Sequence, residues 1–280
     1  MRAANRNLTD RYRERITMNR IFNEQDRQKA FEYILSAAQA CDKIIAMVQV
    51  GSGAKGYHDA RSDLDFVTAL DSDGSMLPVM DYIHRKIAEE YEILYFKQVE
   101  ASHLQVYLLS GLLEIDIGYG GYENAAARKP AFKVLYDRSG IVEKKMIASR
   151  EWMDDALFAD KQKKDIVLAC DTVWAHLMHA AVAIRRGNSF RAIGEMEYVR
   201  KVYIDLLGGR YRLESALNRE IDRLPENEKA SVRSTFVTGE SSEELWSALL
   251  NLTRLVYREL EGSKVPVTLE MLTDYYRDLR

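Results

Sequence analysis

From position 51 the chain reads Gly51-Ser52-Gly53-Ala54-Lys55-Gly56-Tyr57-His58-Asp59-Ala60-Arg61-Ser62-Asp63-Leu64-Asp65-Phe66, a glycine-serine turn followed by two carboxylates. Asp63 and Asp65 alternate with Leu64 and Phe66, so on a strand both acids would share one face and the apolar pair the other. Two carboxylates on one face repel when partly desolvated, unless a cation lies between them. Such an oxygen set suits Mg²⁺, which is held by one or two carboxylates together with substrate phosphates. Gly51, Ser52 and Gly53 offer backbone amides and a hydroxyl to the same phosphates. A third acid, Asp116, lies in the alternating run Glu114-Ile115-Asp116-Ile117 and would join the pair if the strands are neighbours; Glu114 is the alternative. An isolated Asp-x-Asp pair also occurs on solvated sheet faces. The turn upstream and the acidic strand downstream make this combination more specific.

Two other phosphate-binding patterns fail here. A loop of the form G-x-x-x-x-G-K-[ST] finds its glycines at Gly51 and Gly56, but Tyr57 and His58 occupy the lysine and hydroxyl positions. The fingerprint G-x-G-x-x-G is met formally by Gly51, Gly53 and Gly56. It requires a full helix before the next strand, and a strand-like run begins already at about Leu64.

The elements that must position these residues follow from hydrophobic periodicity. Asn23 is placed to cap a helix to about residue 40, with Phe31, Ile34, Leu35 and Ala38 at helical spacing. Strands are expected over 44–50 and 64–70, a helix over 76–90, and a tight hairpin from strands 103–109 and 112–119 around Ser110-Gly111. A last strand is expected near 132–136. From about 150 the pattern is helical throughout: 165–184 is apolar on nearly all sides, and Ser241 with Glu244 forms a capping box before Leu245, Leu249, Leu252 and Val256. Asp154-Asp155 and Glu243-Glu244 read as helix starts. The expected class is α+β: a mixed sheet flanked by helices over 1–150, with 1–22 as an amino-terminal arm, then an all-helical bundle over 151–280.

Composition narrows the function. With 40 basic and 43 acidic residues the net charge is -3, which offers no global attraction to nucleic acid or anionic lipid and argues against a long nucleic-acid partner. Cys41 and Cys170 lie in apolar, helix-like stretches and read as small buried hydrophobes. The first twenty residues lack the apolar core of a secretory signal, and no uninterrupted run of about 18 apolar residues is visible; no membrane span is expected and the cytoplasm is the default location. His176 and His179 stand at a metal-compatible spacing, but a zinc site needs a further ligand, and core packing is the simpler reading.

The arrangement resembles the nucleotidyltransferase superfamily that includes DNA polymerase β, whose signature is a Gly-Ser or Gly-Gly turn, roughly ten residues, Asp-x-Asp or Asp-x-Glu, and a later acidic strand. Gly51-Ser52, Asp63-Leu64-Asp65 and Asp116 match it. Arg185-Arg186-Gly187 at the end of one helix, the helix from Arg191 to Leu207, and Lys264-Val265-Pro266 before a last helix extend the likeness. They resemble the antibiotic-modifying branch: lincosamide nucleotidyltransferases and, more distantly, aminoglycoside 6-adenylyltransferases. The resemblance covers most of residues 40–280. It implies transfer of a nucleoside monophosphate, AMP from ATP in the first instance, to a hydroxyl of a small acceptor such as a lincosamide or an aminoglycoside. It implies one or two Mg²⁺ ions on Asp63, Asp65 and Asp116, and Asp116 as the proton acceptor. Gly51, Ser52, Gly53 and Lys201 would contact the phosphates. Tyr119, Tyr122, Trp174 and Tyr198 are candidates for lining an acceptor cleft or for the core. A protein or tRNA acceptor and a non-catalytic nucleotide-binding relative are the alternatives; a homodimer is compatible with all three.

Overall fold

The computed structural model describes residues 15–57, 59–128 and 131–280, with the side chains of 151–154 and 157 excepted. The first fourteen residues of the expected arm therefore lie outside the described residues. Its remainder is docked: the Ile16 amide donates to the Glu90 carbonyl, Ile16 pairs with Tyr91 in a single parallel bridge, and the Phe22 side chain is buried.

Asn23 caps α1 (Glu24–Gln39) by accepting from the Asp26 amide while the Asp26 carboxylate accepts from the Asn23 amide. Five strands follow with one helix among them: β1 (Ile44–Gln49), β2 (Leu64–Leu70), α2 (Met76–Glu90), β3 (Ile93–Val99), β4 (Leu104–Leu109) and β5 (Glu114–Gly121). β6 (Lys133–Asp137) completes a six-stranded sheet in the order β3-β4-β5-β2-β1-β6. β2 and β5 run parallel and every other pair is antiparallel. The hairpin between β4 and β5 turns through Gly111 and Leu112, both at positive φ (81° and 67°).

One sheet face carries the core. Leu64, Phe66, Ile115 and Ile117 project there against Ala30, Ile34 and Ala38 of α1 and Val79, Met80, Ile83 and Ile87 of α2. The spacing of the α2 residues puts them on one stripe, and burying each such side chain stabilises the fold by roughly 1.5–3 kcal/mol. On the other face, Ala46, Val48 and Ala69 meet Ala127, Val142 and Met146 in a small cluster.

The remaining elements are helical: α3 (Val142–Arg185), α4 (Ser189–Tyr211), α5 (Glu226–Arg233), α6 (Ser242–Glu259) and α7 (Leu269–Leu279). The chain divides into two compact units, Met1–Asp154 and Asp155–Arg280, with the division inside α3. In the second unit α3, α4, α6 and α7 bury Val173, Leu177, Met196, Val199, Leu249, Leu252 and Leu272 in one core. Ser241 and Glu244 form the capping box of α6. Asp154-Asp155 do not start a helix; they fall within α3, which begins at Val142.

The expectation that nothing reaches membrane-crossing length and apolarity is corrected by α3. Phe158–Arg185 qualifies by length and composition, because between Asp165 and Arg185 only Asp171 interrupts it with an acidic or basic side chain other than histidine. Ala169, Val173, Leu177, Ala180, Ala181 and Ile184 of that span pack in the core of the helical unit.

Candidate active site

The parallel pairing of β2 with β5 sets Asp65 directly opposite Asp116, with Leu64 opposite Ile115 and Phe66 opposite Ile117. Directly opposed residues on neighbouring strands project to the same face. The two carboxylates therefore stand side by side on the face opposite the main core. Both are half-buried, whereas Asp63, one residue before β2, is exposed. Asp63 adds its charge from the loop rather than from the strand ladder.

The glycine turn closes on the same acids. Gly51 adopts φ +64°, in the left-handed region, and a Cβ placed on it would stand 2.0 Å from Asp65 Oδ2. Only glycine satisfies both the backbone angle and the contact. The Val50 amide donates to the Asp65 carbonyl at 3.0 Å, so turn and strand are tied at that residue. Ser52 opens a single 3-10 turn over Gly53–Lys55, and its carbonyl accepts from the amides of Lys55 and Tyr57 at 3.1 Å each. Its Oγ is buried without a hydrogen-bond partner among the described residues, and so is Asp116 Oδ1.

Burial, reinforced by the neighbouring charges of Asp65, Glu114 and Asp63, pushes the Asp116 carboxyl up from its ordinary 3.8 to about 6. The site thus concentrates negative charge and leaves two buried oxygens unanswered. Those are conditions that a cation carrying phosphate ligands would relieve. Among the described residues no three His, Cys, Asp or Glu side chains form a ready-made metal cage. Asp65 and Asp116, with Asp63 beside them, are instead the sparse carboxylate set that Mg²⁺ uses when substrate oxygens complete its shell.

Of the residues singled out from sequence, Gly51, Ser52, Gly53, Asp65 and Asp116 converge, with Asp63 near enough for its charge to act on Asp116. Glu114 is exposed on the same face of β5, two residues from Asp116. Lys201 belongs to the helical unit, where its ammonium lies 2.5 Å from both oxygens of Asp205. Tyr119 is core: its hydroxyl donates to Gln105 Oε1 at 2.6 Å. Tyr198 instead stacks on His176, with ring centroids 3.9 Å apart. The two histidines are not core residues. His176 Nδ1 meets Glu195 Oε2 at 2.6 Å and His179 is exposed, because their helical face meets a carboxylate of α4.

Sequence reasoning missed three residues beneath the turn. Gln49 donates from Nε2 to the Tyr57 hydroxyl at 2.6 Å, and Arg27 lies 3.8 Å above the Tyr57 ring. Burial pushes the Tyr57 phenol up, the charges of Asp65 and Asp63 add to this, and Arg27 and Gln49 oppose it. A visible signal existed for Gln49, a polar residue ending an otherwise apolar strand.

No protein-family model matches the chain, and no curated protein matches it. Among solved structures it is similar to an aminoglycoside 6-adenyltransferase from Bacillus subtilis, at 13% identity over 90% of this chain and 98% of that one, with a TM-score of 0.40. It is also similar to terminal uridylyl transferase 4 from Trypanosoma brucei with bound UPU, at 14% identity over 85% of this chain and 69% of that one, with a TM-score of 0.31.

Proposed function

We propose that the protein is a divalent-cation-dependent nucleotidyltransferase that moves a nucleoside monophosphate, in the first instance AMP from ATP, to a hydroxyl of a small acceptor. The observation that carries this reading is the opposition of Asp65 and Asp116 on parallel strands with Gly51 packed against the Asp65 carboxylate. The sequence signature around Gly51-Ser52 and Asp63-Leu64-Asp65 supports the same reading.

Asp63, Asp65 and Asp116 would hold one or two Mg²⁺ ions, which when bound withdraw charge from a triphosphate and favour in-line attack at its α-phosphorus. Ser52 Oγ, buried and unanswered, donates to a phosphate oxygen, beside the amides of Gly51–Gly53. Asp116 takes the proton of the acceptor hydroxyl. The hydroxyl oxygen bonds to the α-phosphorus as the bond to the bridging oxygen breaks, and pyrophosphate leaves with that electron pair. The acceptor class is a lincosamide or aminoglycoside antibiotic, and the net charge of -3 favours a cationic small molecule over nucleic acid. The cytoplasm is the proposed location.

The test is incubation with Mg²⁺, each labelled triphosphate in turn, and lincosamides, aminoglycosides, tRNA and cell protein as separate acceptors. Labelled small-molecule product with equimolar pyrophosphate is expected. Label on tRNA or protein would reassign the acceptor, and nucleotide binding without pyrophosphate release would overturn the catalytic reading.

A further inference from the structure

Helix α1 reaches the site through one buried side chain. Arg27 is 5% exposed, and its Nη1 donates to the carbonyls of Asp59 at 2.9 Å and Ser62 at 3.2 Å. Those carbonyls lie in the bend between the glycine turn and Asp63. The guanidinium also sits 3.8 Å above the ring of Tyr57, a residue held at φ 56° whose amide donates to the Ser52 carbonyl. The Tyr57 hydroxyl in turn accepts from Gln49, and a Cβ on Gly53 would meet Gln49 Nε2 at 2.2 Å and Tyr57 Cε1 at 3.0 Å. The turn therefore rests on Tyr57 and Gln49, and the bend leading to Asp63 rests on Arg27.

Burying a guanidinium is costly, and an apolar side chain would fill the space more cheaply. What the guanidinium adds is one nitrogen, Nη1, shared by two carbonyls while its planar face lies on an aromatic ring. The pairing of β1 with β2 and the Val50–Asp65 hydrogen bond tie the turn to Asp65, and Arg27 adds a tie from α1 to the bend that carries Asp63.

We propose that Arg27 is a positioning residue that fixes the separation between the phosphate turn and Asp63, and thereby sets the affinity for the divalent cation. This rests on the reading of Asp63 and Asp65 as cation ligands. Lysine, with three donors on one ammonium, can reach the carbonyls but has no planar face to lay on the ring.

The experiment is a Mn²⁺ titration of the full chain followed by electron paramagnetic resonance, with and without a non-hydrolysable ATP analogue, alongside thermal melting. Arg27→Met should weaken Mn²⁺ binding by about tenfold, within the usual range for removing a group that orients a metal ligand. Arg27→Lys should recover part of the loss, and Tyr57→Leu, which removes the ring but keeps the guanidinium, should weaken binding by a smaller factor. Tyr57→Leu also serves if Arg27→Met does not fold. Wild-type Mn²⁺ affinity in Arg27→Met together with a lower melting temperature, or in Tyr57→Leu where that variant stands in, would assign the arginine to stability alone and overturn the proposal. Equal Mn²⁺ binding by the wild type and Asp65→Asn would instead overturn the cation reading itself, and the role of Arg27 with it.

Discussion

The neighbouring strands β4 and β5 present two polar groups, one each, to opposite faces of the sheet, and they are treated in opposite ways. On the core face Gln105 gathers the hydroxyls of Tyr107 and Tyr119 onto its Oε1, at 3.0 and 2.6 Å, and donates from Nε2 to the Met80 carbonyl and Gln98 Oε1. All four of its contacts are made inside the chain, and burial holds both phenols above their ordinary range. On the other face Asp116 stands against Asp65 with one buried oxygen unanswered. A closed network in the interior specifies packing, whereas an open one carries a cost that only a ligand removes. The first is structural and the second is where chemistry is expected.

The contrast can be broken by substitution. Asp65→Ala should abolish transfer in the labelled-nucleotide assay and leave the far-ultraviolet circular dichroism spectrum intact; undiminished transfer would remove Asp65 from the mechanism.

Asp116→Asn should lower kcat by about 10²–10⁴-fold, the range for a lost general base. The same change should raise the melting temperature at pH 7.5 by roughly 2–4 °C, since it removes one buried like charge. The sign follows from the raised carboxyl. The folded chain binds this proton more tightly than the unfolded chain, so the group favours folding below about pH 4 and that advantage is lost as pH rises through about 6.

Ser52→Ala should raise the KM for the nucleotide by about tenfold, the size of one hydrogen bond to a charged group, with little change in kcat. Gln105→Leu should do the reverse. It should leave the nucleotide KM unmoved and destabilise the fold by about 1–3 kcal/mol for each tyrosine hydroxyl left unpaired, as read by urea denaturation. A loss of nucleotide affinity in Gln105→Leu would show that the two faces of the sheet are not independent.

The local parts of this arrangement were legible in the sequence. Gly51-Ser52, the alternation of Asp65 with Leu64 and Phe66, and that of Asp116 with Ile115 and Ile117 each declare themselves within a few residues. Their adjacency entered only as a condition and its parallel sense was not foreseen, because it depends on contacts between positions 51 residues apart. Strand β3 was missed because it is an edge strand with both Leu94 and Tyr95 exposed, so it shows no alternation. The start of α3 was missed for a related reason: its early turns are polar on most sides and offer no apolar stripe. Arg27 gave no sign at all, since a buried arginine on a helix is recognised only by the carbonyls and ring it meets in the folded chain.

The parallel pairing of β2 and β5 has an evolutionary consequence. Everything between the two acid-bearing strands, α2, β3 and β4 included, is an excursion that leaves and returns to the same edge of the site. Insertions or deletions in the turns of that excursion can reshape the neighbourhood of Asp116 while the register of β2 on β5 keeps the two acids opposite one another. Under the proposed function, such a chain can change its acceptor without rebuilding the pair of acids.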